Sequence, residues 1–226
     1  ADWAKQQNCI DRIEVLGFVD GGLSLNWIEK AGGRVVNLLT KGSLRHLTGQ
    51  LRKTPEQHLS EIISLVETAS LRDMVVNVYL EDWSNGMIHS ADYVYFMMDR
   101  LKDCNIRRFM LPDTLGVLNP DLTTCFSRQI KDRYPDIHFD FHAHNDYDMA
   151  TANVYCALKE GFQGVHTTVN GLGERCGNVP LSSVLAILND HLGYASSLNE
   201  SRLYHVSKMV ERFSGLRIPA NKPLIG

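Results

Sequence analysis

Residues 139–178 read FDFHAHNDYDMATANVYCALKEGFQGVHTTVNGLGERCGN, and this stretch decides the fold. It opens on a strand pattern, Ile137 to Phe141, that runs into His142-Ala143-His144-Asn145-Asp146. Successive side chains of a strand point to opposite faces, so residues i and i+2 share a face. His142 and His144 therefore point the same way, and two neutral imidazoles so placed suit one metal ion. The bland alternative is a pair of satisfied or surface histidines. The context favours the metal, because a helical stretch over Ala150 to Lys159 and a second strand, Gly164 to Val169, follow at once. That strand ends in Asn170 to Asn178, a polar run rich in glycine. Such composition suits a loop whose backbone approaches a ligand closely. Two neighbouring strand ends thus bring His, His and Asn to one point.

Working outward, strands and helices alternate along the whole chain. Strand patterns start near Ile13, Val35, Val75, Ile106, Ile137 and Gly164. Between them lie helical stretches: Leu25 to Ala31, Pro55 to Ser70 with Thr54 as N-cap, Ala91 to Cys104, Asp121 to Tyr134 and Ala150 to Lys159. Pro180 to Leu192 and Glu200 to Ser214 follow the last strand. Val94, Met97, Met98 and Leu101 recur at helical spacing and read as core. Alternation at this spacing implies parallel βαβ units in one domain.

With 226 residues, 44% of them hydrophobic, the chain can bury one sizeable core. A net charge of -3 argues against a general nucleic-acid or anionic-membrane binder. No apolar run reaches the roughly 20 residues that span a bilayer. Five dispersed cysteines without CxxC spacing suggest reduced thiols and a cytoplasmic protein.

HAHND followed by NGLGERCGN resembles the DRE-TIM metallolyase superfamily. More narrowly it resembles the acyl-CoA condensing branch of 2-isopropylmalate, homocitrate and citramalate synthases. The resemblance implies a TIM (β/α)8 barrel with a divalent metal (Mg, Mn or Zn) at the C-terminal ends of its strands. By position it implies His142, His144 and Asn178 as metal ligands, with His142 also near the substrate. Asn145, Asp146 and Glu174 are expected to brace that set, Asp146 having helix capping as its other possible role. Glu81, at the end of the Val75 strand, matches a family glutamate implicated in catalysis; its bland role is a loop carboxylate. Thr114, in PDTLG, matches a threonine that binds the oxo-acid carboxylate, although Pro, Asp, Thr and Gly are also turn formers. Cys176 reads as a small filler, where the synthases carry alanine.

Aligned on these motifs, the six strands correspond to family strands three to eight. The barrel then covers 1–217, and 218–226 begins a linker to a following subdomain. The Arg-Asp pair of the first family strand, whose aspartate ligates the metal, has no counterpart here; Arg72-Asp73 reads instead as a solvated helix end. A start in mid-helix looks like that of a fragment. The implied reaction condenses acetyl-CoA with a 2-oxo acid. It lies nearest the 2-isopropylmalate synthases, which act on 2-oxoisovalerate and are usually homodimers. Citramalate or homocitrate synthesis and retro-aldol cleavage are the alternatives within the superfamily. A non-catalytic barrel serving as an assembly or regulatory partner is the alternative of another class.

Overall fold

The structure is a computed structural model that describes residues 1–226. Six strands form one parallel sheet whose order follows the chain, alternating with helices. The chain divides into two compact units, one of residues 1–114 with 134–140, the other of residues 115–133 with 141–226.

The first unit contains α1 (Asp2–Gln6), β1 (Glu14–Phe18), α2 (Leu23–Lys30), β2 (Val35–Lys41), the short turn α3 (Leu44–His46) and α4 (Pro55–Ser70). It continues with β3 (Val75–Glu81), α5 (Trp83–His89), α6 (Ala91–Leu101) and β4 (Ile106–Asp113). Val36 and Leu38 of β2, with Val76, Val78 and Leu80 of β3, are buried. Strands of a parallel sheet are covered on both faces, which is why these segments read as nearly continuous apolar runs. The register pairs Lys41 with Glu81, so β2 and β3 end level with each other.

Helix α4 begins as its sequence dictates. Thr54 Oγ1 accepts from the Gln57 N–H at 3.2 Å, and Gln57 Oε1 accepts from the Thr54 N–H at 3.0 Å. This capping box satisfies two orphan donors at once, and Pro55 supplies a preset φ. Arg72 and Asp73 lie just past the helix. Asp73 has φ 53°, and Arg72 donates to Asn26 at 2.5 Å, which is the helix-end role expected of the pair. Helix α5 was not legible in the sequence. Asp82 turns into the left-handed region at φ 65°, which starts a helix at once, and Trp83 is fully buried. Glu14, at the start of β1, bonds Arg107 and Arg108 at 2.5 Å each, and Arg108 bonds Asp140 at 2.9 Å. Of these four only Asp140 is buried, and its pairing with Arg108 offsets the cost of burying that charge.

The second unit contains α7 (Pro120–Arg133), most of β5 (Phe139–Ala143), α8 (Ala150–Lys159), β6 (Gly164–His166), α9 (Leu181–Ala186) and α10 (Leu203–Ser214). β5 runs two residues further than the apolar pattern suggests, so His142 lies inside the strand. β6 is shorter than expected. Beyond it only Thr168 keeps a bridge, to Pro180, and Asn170 turns the chain at φ 64°. The stretch read as one helix over 180–192 is α9 followed by a wider π turn over Ile187–His191. No helix is long and apolar enough to cross a membrane.

Candidate metal centre

In the second unit β5 and the residue just past it bring two histidines together. His142 Nε2 and His144 Nε2 are 3.1 Å apart, and Asn178 Nδ2 is also 3.1 Å from His142 Nε2. His144 and Asn178 are additionally joined by a backbone bridge. Both are buried, at 8% and 6% exposure. The loop that presents Asn178 is tied to β5 by backbone bonds on both sides. Asn145 N donates to Gly177 O at 2.9 Å, and Val179 N donates to Ala143 O at 3.2 Å. Gly173 allows the loop to close, because a Cβ there would stand 1.7 Å from Asn178 Oδ1. Only glycine fits so close an approach.

Burial, reinforced by the neighbouring His166 and His144, lowers the His142 pKa to about 3. His142 is therefore neutral at physiological pH, the form that ligates a metal. Two nitrogen ligands each about 2.1 Å from an ion, at right angles, stand about 3.0 Å apart. The observed 3.1 Å between the imidazole nitrogens matches that spacing. A half-turn of the Asn178 amide about χ2 presents Oδ1 in place of Nδ2. These residues fit a divalent ion as two imidazole nitrogens and one amide oxygen. The set carries no charge of its own, and no group of three His, Cys, Asp or Glu side chains in the structure is placed to hold a metal ion by itself. Carboxylate and water ligands would have to complete the sphere.

The residues around this set take distinct roles. Asn145 serves the helix: its Oδ1 accepts from Ala150 N at 3.1 Å, and its Nδ2 donates to Asp148 at 3.0 Å. Asp146 does not cap α8. It receives two bonds from Arg175, which lower its pKa. Glu174 is exposed, reaching only Arg175 at 3.5 Å. His166, to which no sequence motif gives a role, brings its ring to 5.5 Å from that of His142, edge-on. Its place at the end of β6 was the available signal.

The first unit gathers a separate cluster at the ends of β2 and β3. Glu81 is paired with Lys41, and His46 Nδ1 lies 3.9 Å from its other oxygen. His46 Nε2 is 3.4 Å from Asp82, which also accepts from Ser43 Oγ at 2.7 Å and Asn85 at 2.8 Å. Thr114 Oγ1 accepts from the Asp82 N–H at 2.8 Å. Lys41 is anchored at both backbone groups: its N–H donates to His58 Nε2 at 3.1 Å, and its carbonyl accepts from Tyr93 at 2.9 Å. The sequence marked Glu81 and Thr114 but did not assign Lys41 or His46 a role.

The HMGL-like family model matches residues 23–210. The chain belongs to the HMGL-like family. Among curated relatives, the homocitrate synthase of Sulfolobus acidocaldarius is 37% identical over 183 residues, 80% of this chain. A Methanopyrus kandleri protein that bears the name (R)-citramalate synthase is 32% identical over 198 residues, 87% of this chain. An Ignicoccus hospitalis protein that bears the name 2-isopropylmalate synthase is 34% identical over 181 residues, 80% of this chain. The chain spans 38%, 38% and 45% of the length of these relatives. Among solved structures, the HMG-CoA lyase of Bacillus subtilis superposes with a TM-score of 0.80 at 19% identity, over 91% of this chain and 72% of the lyase. That of Pseudomonas aeruginosa gives 0.78 at 20%, over 89% and 70%. At such identity the likeness speaks for the fold, an α/β fold of the TIM-barrel type.

Proposed function

We propose that this HMGL-like chain is the catalytic barrel of an enzyme that condenses acetyl-CoA with a 2-oxo acid in Claisen fashion. The first candidate is 2-oxoisovalerate, giving 2-isopropylmalate for leucine biosynthesis. The placement of His144 and Asn178 each 3.1 Å from His142 Nε2 carries the reading, because it suits the divalent ion such a reaction needs. The names of the curated relatives support the reaction class and leave the oxo acid open. On this reading 1–217 is the barrel and 218–226 leads towards a further subdomain. The enzyme works as a cytoplasmic homodimer.

His142, His144 and Asn178 would hold the ion, Mg, Mn or Zn. When bound, it supplies Lewis-acid polarisation of the oxo-acid carbonyl. Thr114 supplies a hydroxyl to the oxo-acid carboxylate. Glu81 takes a proton from the methyl group of acetyl-CoA, and Lys41 and His46 hold its carboxylate in place. The enolate carbon then bonds to the carbonyl carbon while the C=O π pair moves to oxygen, which takes up a proton, and water cleaves the thioester to a carboxylate and free CoA. The test is CoA release by the full chain given acetyl-CoA, Mg or Mn, and separately 2-oxoisovalerate, pyruvate and 2-oxoglutarate, with a chelator arm. Chelator-sensitive release with 2-oxoisovalerate is the expected result. Release with another oxo acid alone moves the specificity, and no release with any of them overturns the condensation.

A further inference from the structure

We infer that Asp146 and Arg175 form a clamp that sets the position of Asn178, which makes both of them positioning residues for the metal centre. This rests on the metal reading above and deepens it. Arg175 Nε donates to Asp146 Oδ1 at 2.6 Å, and Nη2 donates to Oδ2 at 2.8 Å. That is a two-pronged guanidinium–carboxylate pair, the geometry that fixes orientation as well as distance. An isolated surface ion pair adds little to stability. Three features argue that this one was built for position.

First, Arg175 adopts φ 54°, a left-handed conformation that a residue with a β-carbon takes at a cost. The loop accepts that cost in order to aim the guanidinium at Asp146. Second, Asp146 has a made seat. A Cβ on Gly116 would meet its Oδ2 at 2.7 Å, so only glycine leaves room for the carboxylate there. Third, the clamp closes a ring of contacts around the metal set. Asp146 lies two residues past His144, and Arg175 three before Asn178. Two residues before Arg175, Gly173 approaches the Asn178 amide so closely that a Cβ there would stand 1.7 Å from Oδ1. The loop tip thus decides where that amide sits, and the clamp decides where the tip sits. Partners that orient metal ligands in this way typically affect affinity by about 10- to 100-fold.

The experiment is Mn2+ binding to the full chain, followed by the EPR signal of free Mn2+, with circular dichroism reporting the fold separately. Arg175→Ala and Asp146→Ala are each expected to weaken Mn2+ binding about 10- to 100-fold with the fold retained. The double variant is expected to bind no more weakly than either single one, because both changes break the same clamp. His142→Ala is the control that loses the site. If His142→Ala loses binding while Arg175→Ala and Asp146→Ala bind as the parent does, the clamp is overturned and the metal reading stands. If the two losses add, the residues act separately and the clamp is again overturned. If His142→Ala also binds as the parent does, the metal reading itself fails and the clamp fails with it. Should Asp146→Ala unfold, Asp146→Asn breaks the charge pairing at nearly constant volume and serves in its place.

Discussion

Acidification should destabilise the first unit through one buried histidine. His58 lies in α4 with no exposed surface. Its Nε2 accepts the Lys41 N–H at 3.1 Å, so the neutral ring carries its proton on Nδ1, which is buried without an acceptor. Burial lowers its pKa from 6.5 to about 4; Glu61 opposes this, while Lys53 and Lys41 add to it. The folded state therefore binds fewer protons than the unfolded one between these two values. Stability rises with pH wherever the unfolded state holds more protons. The His58 contribution is thus complete above pH 6.5 and is lost as pH falls towards 4. Integrating over the two pKa values gives a loss of about 2 kcal/mol at pH 5 and about 3 kcal/mol at pH 4. The assay is urea unfolding of the parent and of His58→Gln from pH 8 to 4, read as the difference between the two curves. Other carboxylates titrate in both proteins and cancel in that difference. The parent should lose stability faster than the variant by about those amounts. Parallel curves would refute the argument, because they would mean that His58 binds its proton as well in the folded state as in the unfolded one.

Two further changes probe the strand ends. Gly173→Ala places a methyl group 1.7 Å from Asn178 Oδ1, so the amide must leave its place. Mn2+ binding should weaken about tenfold or more, and parent-like binding would remove Asn178 from the ligand set. Glu81→Gln keeps the shape and removes the base. It should lower kcat about 100- to 10,000-fold in the CoA-release assay, and an unchanged kcat would assign the proton transfer to another group.

Much of this protein was written in its local sequence. The alternation of apolar strands with helices is a short-range pattern, and it located all six strands. Thr54, Pro55 and Gln57 announced the start of α4, because a capping box involves only residues three apart. His142 and His144 announced a shared face, because side-chain direction in a strand repeats every two residues. The family motifs pointed to Asn178, Glu81 and Thr114 one residue at a time.

What the sequence could not carry were features that depend on a distant partner. Helix α5 exists because Trp83 finds a buried place and Asp82 turns left-handed, and neither shows in local periodicity. Asp146 looked equally suited to capping α8 or bracing the histidines. Arg175, 29 positions away, decides its role, and Asn145 contacts α8 instead. Lys41 and Glu81 stand 40 residues apart and meet only because parallel pairing sets β2 and β3 in register. His166 faces His142 for the same kind of reason. The sequence by itself determined the repeating elements and the chemical types at the strand ends, since both rest on neighbours along the chain. The tertiary structure alone decided which of those groups touch, because strand register and loop closure are set by packing between residues far apart in sequence.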